Sequence, residues 1–351
     1  MSFFSYNFVV MLMKKFIVLL LFLSCIPLKV NALSARNIIA MDMDTNRILY
    51  EKDANSEHLI ASITKIMTAV VALELADTNS DVTATNTILK AFGSAIYIEV
   101  GETMKLKDLL YGLMMRSGND AALAIAEFVG GDVDKFVLLM NQKAREIGMN
   151  NTKFINPHGL ENNEGNGNTS TAYDMAILSS YAMQNNTYKE IVSTKNYVAK
   201  SDRKTYSWSN KNKMLSLYEY TTGGKTGFTE KARRTLVSTA SKDNKNITVV
   251  SLNDPDDWDD HKYLYETLFR EYDSVKVVDK NNFTVENETF YKNDTLYIEK
   301  DIYLMVKEKE KESISLDFRL EKLNDYKTGD IVGKVKIKLG DKMVREENIY
   351  V

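Results

Sequence analysis

The sequence predicts an α/β sheet domain followed by a small all-β domain. Strand-like runs stand at both ends of residues 37–252 with helix-periodic segments between them, the pattern of a sheet closed by its own N-terminal hairpin. From Ser274 the texture changes to short alternating runs punctuated by Asn, Asp, Gly and Lys/Glu. Length agrees, because the 351 residues less an N-terminal leader suffice for two domains of roughly 150 residues each. The expected divisions are a leader over 1–32, a main domain over 33–273 and the β-rich domain over 274–351.

The leader reads as a secretory signal peptide. Lys14-Lys15 precede the apolar run from Phe16 to Leu23, and Val30-Asn31-Ala32 sets up cleavage after Ala32. The run is shorter than the roughly 20 residues a membrane span needs. Cys25 lacks the aliphatic residue three positions before it that lipidation favours, so cleavage leaves a chain without cysteine, stabilised by its core alone.

Along the main domain, Ile38 to Met43 and Arg47 to Tyr50 flank the polar turn Asp44-Thr45-Asn46 and predict a hairpin. Ile63, Ile66, Met67, Val70 and Val71 recur at helical spacing over 62–76, and Ala69, Ala72 and Leu73 make that helix apolar on most sides, hence buried. Further helices are expected at 105–115, 119–129, 133–147 and 171–184, the last opened by Ser170 or Thr171 with Asp174 near the third position. A Tyr-, Ser- and Asn-rich stretch precedes strands at 224–230, 235–241 and 247–252 and a helix at about 258–271. In the second domain the strand-like runs are 295–298, 302–306 and 333–339, and the charge run from Lys307 to Glu312 reads as a solvated turn or strand edge.

Composition excludes several function classes. The net charge of −3 leaves no basic surplus for neutralising phosphates, so no nucleic acid is expected as partner. The three histidines, His58, His158 and His261, form no ligand pair and the single cysteine cannot make a thiolate site, so neither metal nor other cofactor is expected.

What remains is a constellation suited to acyl transfer. Ala61-Ser62-Ile63-Thr64-Lys65 places Ser62 and Lys65 one turn apart on one helical face. A serine at a helix start faces backbone N–H groups that stabilise an oxyanion. Lys65, among apolar neighbours, is expected to be desolvated, neutral and able to take the Ser62 proton. Ser117-Gly118-Asn119 lies between two predicted helices, and Lys225-Thr226-Gly227 opens a predicted strand. Ser117 suits a hydroxyl relay, Asn119 an amide contact to a peptide, and Lys225 with Thr226 a carboxylate site, while Gly227 leaves the strand bare enough for a substrate to lie along it.

These three motifs, with Asn156-Pro157-His158-Gly159-Leu160 and the string from Ser170 to Ala176, resemble the serine-type D-alanyl-D-alanine carboxypeptidases, the low-molecular-mass penicillin-binding proteins. The resemblance runs from about residue 37 to the end. It implies a β-lactamase/transpeptidase-like domain, an antiparallel sheet flanked by helices, followed by the small β-rich domain these enzymes often bear. It further implies a peptidoglycan stem peptide ending in D-Ala-D-Ala as substrate, acylation by β-lactam antibiotics, and oxyanion donors from the backbone N–H of Ser62 and of Phe228. Two departures stand out. The chain ends without the amphipathic helix by which relatives attach to membranes, and residues 254–262 carry no arginine where many relatives hold the substrate carboxylate. Thr226 and Lys225 are then the first candidates for that carboxylate, with Lys262 and His261 behind them. The string from Asp256 to His261 resembles enzymes of spore-forming Gram-positive bacteria. A class A β-lactamase normally has Ser-Asp-Asn at the second motif and a deacylating glutamate, for which Glu164 is the nearest match; a catalytically idle peptidoglycan-binding protein would not need the intact motifs.

Overall fold

A computed structural model describes residues 33–280, 282–285 and 289–351. The expected leader, with Cys25 and the expected cleavage after Ala32, lies outside the described residues. The main sheet is built from β1 (Asn37–Asp42), β2 (Arg47–Lys52), β3 (Thr221–Thr229), β4 (Arg233–Lys242) and β5 (Lys245–Leu252) in the order β2-β1-β5-β4-β3. Every pairing is antiparallel. The N-terminal hairpin thus joins the sheet beside the third of the C-terminal strands, as the two-ended strand pattern predicts. All six residues of β1 are buried, because β1 lies inside the sheet with covered faces. Asp243 and Asn244 connect β4 to β5 with φ of 51° and 57°, a two-residue turn whose positive φ values match the twist of the strands.

Among the described residues the helices longer than one turn are α1 (Lys65–Leu75), α2 (Leu106–Met115), α3 (Asn119–Gly130), α4 (Val133–Glu146), α5 (Ala172–Ala182), α6 (Asn186–Ser193) and α7 (Asp257–Glu271). Asp132 and Thr171 cap α4 and α5 by accepting from the N–H of Lys135 and Asp174. Residue parity on the strands puts α5 and α7 on opposite faces of the sheet. Thr248 of β5 bonds Ser179 of α5 at 2.9 Å, whereas Ser251, of the other parity, lies 3.0 Å from His261 of α7. α1 is buried along most of its length within the helical core.

Two features differ from expectation. The Tyr-, Ser- and Asn-rich stretch holds α6 and a hairpin of Asn196–Lys200 with Thr205–Ser209. The signal for α6 was present in Tyr188, Ile191 and Val192 at i, i+3 and i+4 behind the cap Asn185, but the surrounding polar composition masks so short a repeat. The helix expected from Ser62 begins as a 3₁₀ turn, Ala61–Thr64, and becomes α-helical only at Lys65.

The C-terminal region is all-β. β6 (Asp273–Val278) pairs with β7 (Ile302–Val306), and β8 (Ile314–Leu320), β9 (Ile331–Leu339) and β10 (Lys342–Tyr350) form a meander. A separate core of Ile302, Leu304, Val332, Val335, Ile337 and Ile349 sits between them. The charge run becomes a 3₁₀ turn, Glu308–Ser313, with no buried residue. Of the run at 295–298, Tyr297 alone pairs, as an isolated bridge to Tyr350.

Candidate active site

The serine turn is held from three sides. Ala61 adopts φ 48°, a left-handed conformation that redirects the chain into the turn carrying Ser62. Lys65, fully buried at the first position of α1, places Nζ 3.0 Å from Ser62 Oγ and donates to the carbonyl of His158 at 2.6 Å. Thr68, one turn on, donates to the Pro157 carbonyl at 2.6 Å. Burial, reinforced by the positive charges of Lys225 and Lys211, holds the Lys65 amine well below the ordinary lysine range, with Asp120 opposing the shift. A neutral amine that donates one N–H to His158 keeps a lone pair for the Ser62 proton. His158 is itself kept neutral, its pKa pushed down to about 3 by burial and by Lys65. The Asn-Pro-His-Gly-Leu string therefore acts through its backbone: two of its carbonyls fix α1, and a Cβ added at Gly159 would fall 1.9 Å from the Ala61 oxygen.

Ser117 lies between α2 and α3 with φ 62° and is 5% exposed, a strained conformation that turns a mostly buried hydroxyl to the cleft. Asn119 opens α3 and is buried. Its amide donates to the Phe92 carbonyl at 2.5 Å, while its Oδ1 has no hydrogen-bond partner among the described residues. Asp120 accepts from the N–H groups of Ile96, Tyr97 and Ile98 at 3.0, 2.7 and 3.3 Å. Asn119 and Asp120 thus pin the loop that carries Ser94 to the cleft.

Lys225, Thr226, Gly227 and Phe228 lie on β3, an edge strand whose outer side has no ladder partner among the described residues. A Cβ at Gly227 would stand 2.4 Å from Thr235 Oγ1 and 3.0 Å from the Ser62 nitrogen, so the bare position also lets the strand close against the serine turn. Lys225 is 1% exposed and donates to the Thr226 carbonyl at 2.7 Å; burial and the neighbouring Lys211 push its pKa down to about 7. The cleft of about 320 Å³ is lined by Ser62, Ser117, Thr226, Gly227 and Phe228, and also by Ser94, Lys211, Arg234, Asp257 and Trp258. A larger polar groove of about 1150 Å³, between Gln184, Thr222, Lys300 and Arg345, contains none of the motif residues.

Lys211 and Arg234 are cations that sequence reasoning did not reach. Arg234 stands just outside the strand expected at 235–241, and only the register, Arg234 opposite Phe228, shows that it shares the cleft. The weaker carboxylate candidates fall elsewhere. His261 is fully buried between Ser238 and Ser251 at 2.7 and 3.0 Å, and Lys262 faces Glu266 at 3.8 Å. Glu164 is exposed and bonds Asn166 in its own loop. Among the described residues no group of three or more His, Cys, Asp or Glu side chains is gathered as a metal site.

Residues 27–256 match the family model described as D-alanyl-D-alanine carboxypeptidase. The chain belongs to the D-alanyl-D-alanine carboxypeptidase family. It is a serine-type hydrolase of the peptidase class, and residues 272–351 match the model of the penicillin-binding protein 5 C-terminal domain. The D-alanyl-D-alanine carboxypeptidase DacF of Bacillus subtilis is 36% identical over 222 residues, 62% of this chain and 56% of that protein, so the match spans little more than half of that relative's length. DacB2 of Mycobacterium tuberculosis is 32% identical over 241 residues, covering 67% of this chain and 82% of the relative. Among solved structures, penicillin-binding protein 5 from Haemophilus influenzae is similar with a TM-score of 0.71 at 25% identity, covering 91% of this chain and 97% of that one. The M. tuberculosis H37Rv carboxypeptidase gives 0.65 at 31% identity, covering 68% and 92%. This chain therefore has the penicillin-binding, transpeptidase-like fold with an all-β C-terminal domain.

Proposed function

We propose that Ser62 is the acylated nucleophile, Lys65 its base and Ser117 the proton relay in removal of the terminal D-alanine from peptidoglycan stem peptides. The observation that carries this is the buried Lys65 amine 3.0 Å from Ser62 Oγ, anchored on the His158 carbonyl. Lys65 takes the serine proton as Ser62 Oγ bonds to the carbonyl carbon between the two D-alanines. The oxyanion is met by the backbone N–H of Ser62 and of Phe228, preorganised donors where the negative charge develops. Ser117, with Lys225 behind it, gives its hydroxyl proton to the leaving nitrogen as the C–N bond breaks and takes up the proton Lys65 removed from Ser62, so the amine is neutral again. Water, deprotonated by Lys65, then attacks the ester, and the proton returns to Ser62 Oγ as the shortened stem leaves. Asn119 serves this reading by holding the loop that bounds the cleft, and Thr226 by offering a hydroxyl to the substrate end.

The same acyl-enzyme step makes β-lactam antibiotics covalent ligands. A deacylating glutamate of the lactamase kind has no support, since Glu164 is solvent-facing and does not line the cleft. The substrate places the enzyme outside the cytoplasmic membrane, and the signal-like leader supplies the route; no helix among the described residues is long and apolar enough to cross a membrane. Incubation with a fluorescent penicillin, followed by peptide mapping, tests the assignment. A stable label on Ser62, lost in Ser62→Ala, is expected. Label surviving Ser62→Ala would refute it, as would rapid nitrocefin turnover.

A further inference from the structure

The substrate's free carboxylate needs a cation, and Lys225, bound to the Thr226 carbonyl and 1% exposed, is poorly placed to meet it. We propose that Arg234, clamped by Asp257 and Trp258, receives the terminal carboxylate beside Thr226 and makes the enzyme prefer a free chain end to the same bond inside a cross-link. The inference rests on the reading of Ser62 as nucleophile.

Arg234 and Thr226 lie on adjacent antiparallel strands. Arg234 is opposite Phe228 and Leu236 is opposite Thr226, so Arg234 and Thr226 project from the same face as diagonal neighbours, within reach of one small anion. Both line the cleft with Ser62. Asp257, at the start of α7, bonds the Nη2 edge of the guanidinium, and Trp258 stacks under it at 5.4 Å. The clamp is asymmetric. Asp257's side chain is 3% exposed and Arg234's 40%, so the acid orients the arginine from behind while the guanidinium keeps a face toward solvent. Asp257 is bonded through Nη2 alone, so it leaves donors of the fork unused. A planar fork with free donors matches a carboxylate bidentately, which a lysine cannot do. The other cation of the cleft, Lys211, donates to Ser94 at 3.0 Å and is held low by burial and by Arg116, so it is the weaker anion partner. The acidic segment around Trp258 thus gains a role: it supplies no cation of its own but holds one that comes from β4.

The test compares kcat/KM for an N-acylated peptide ending in D-Ala-D-Ala with that for its C-terminal amide, in wild type, Arg234→Leu, Arg234→Gln and Arg234→Lys, with melting temperatures as a control on folding. Arg234→Leu is expected to lower kcat/KM on the free acid by ten- to a hundredfold and to change the amide less than threefold. Arg234→Lys should recover part of the loss. Arg234→Gln retains a donor toward Asp257 and gives the same acid-to-amide readout if the leucine variant melts early. Equal losses on acid and amide would make Arg234 merely structural and overturn the proposal, as would an unchanged acid rate. If wild type cleaves neither peptide and penicillin does not label Ser62, it is the reading of the site that fails.

Discussion

At the scale of single residues, the site is a set of groups kept in forms that water would not allow. Lys225 illustrates the stability consequence. Its pKa of about 7 in the fold lies below the unfolded value near 10.5, so between those pH values the unfolded chain binds more protons and stability rises with pH. Below pH 7 the charged amine is buried and its penalty is greatest. Lys225→Met is therefore expected to raise the melting temperature more at pH 6 than at pH 9, while penicillin acylation falls at least about a hundredfold if Lys225 supports Ser117 as proposed. Calorimetry at the two pH values checks it, and a gain larger at pH 9 would contradict the assigned shift. Ser117 makes the complementary case. Its left-handed backbone stores about 1–3 kcal/mol that glycine would release. Ser117→Gly should melt no lower than wild type, yet acylate by penicillin about a hundredfold more slowly.

At the scale of elements, the serine turn, the Asn-Pro-His-Gly-Leu loop and edge strand β3 meet so closely that two glycines are required. A methyl at Gly159 meets the Ala61 oxygen at 1.9 Å, and Gly159 has φ 93°, so neither the neighbour nor the residue itself can relax. Gly159→Ala is expected to destabilise the protein by about 2 kcal/mol or more, within the range of overpacked sites, and to disturb Ser62 as the turn shifts. Thermal melting combined with the rate of penicillin acylation reads both effects; a loss of stability with an unchanged acylation rate would separate the loop from the serine turn. Among these elements, the string from Asn156 to Leu160 was legible as a motif, but its function was not. What it contributes is two carbonyl oxygens and an absent Cβ, which no side-chain chemistry announces.

At the scale of the whole molecule, β2 carries the main-domain side of a link to the C-terminal β-strands. Arg47 donates to the Met305 carbonyl at 3.0 Å and to Glu310 at 2.5 Å, Lys307 pairs with Glu271 of α7 at 3.2 Å, and Lys311 braces the C-terminal side through Asp273 of β6 at 2.7 Å. The exposed lysine pairs contribute little, but Arg47 is mostly covered, and its loss removes the charge partner of Glu310 and a donor to the Met305 carbonyl. Arg47→Met should weaken the link by about 1–3 kcal/mol, a charge-assisted bond and a buried carbonyl being lost together. Faster proteolysis within residues 272–351, with penicillin acylation unchanged, is the expected result, since Arg47 does not line the Ser62 cleft. A parallel loss of acylation would show that the two regions are coupled.

The sequence by itself determined the elements whose signals are local. The hairpin at β1 and β2, the buried helix after Ser62, the capped helices α4 and α5 and the strand pair around Asp243-Asn244 each follow from periodicity, caps or turn residues that act over a few positions. It also determined the proximity of Ser62 and Lys65, because spacing of three along one turn brings them together over a few positions. Tertiary structure alone decided which distant groups complete the site. The His158 carbonyl lies 93 positions from the lysine it holds, and Arg234 comes to Thr226 only through strand register. Register is set by which face of β4 must be buried against α7, a property of packed layers, so an arginine one residue outside an expected strand carries no mark of the cleft it enters.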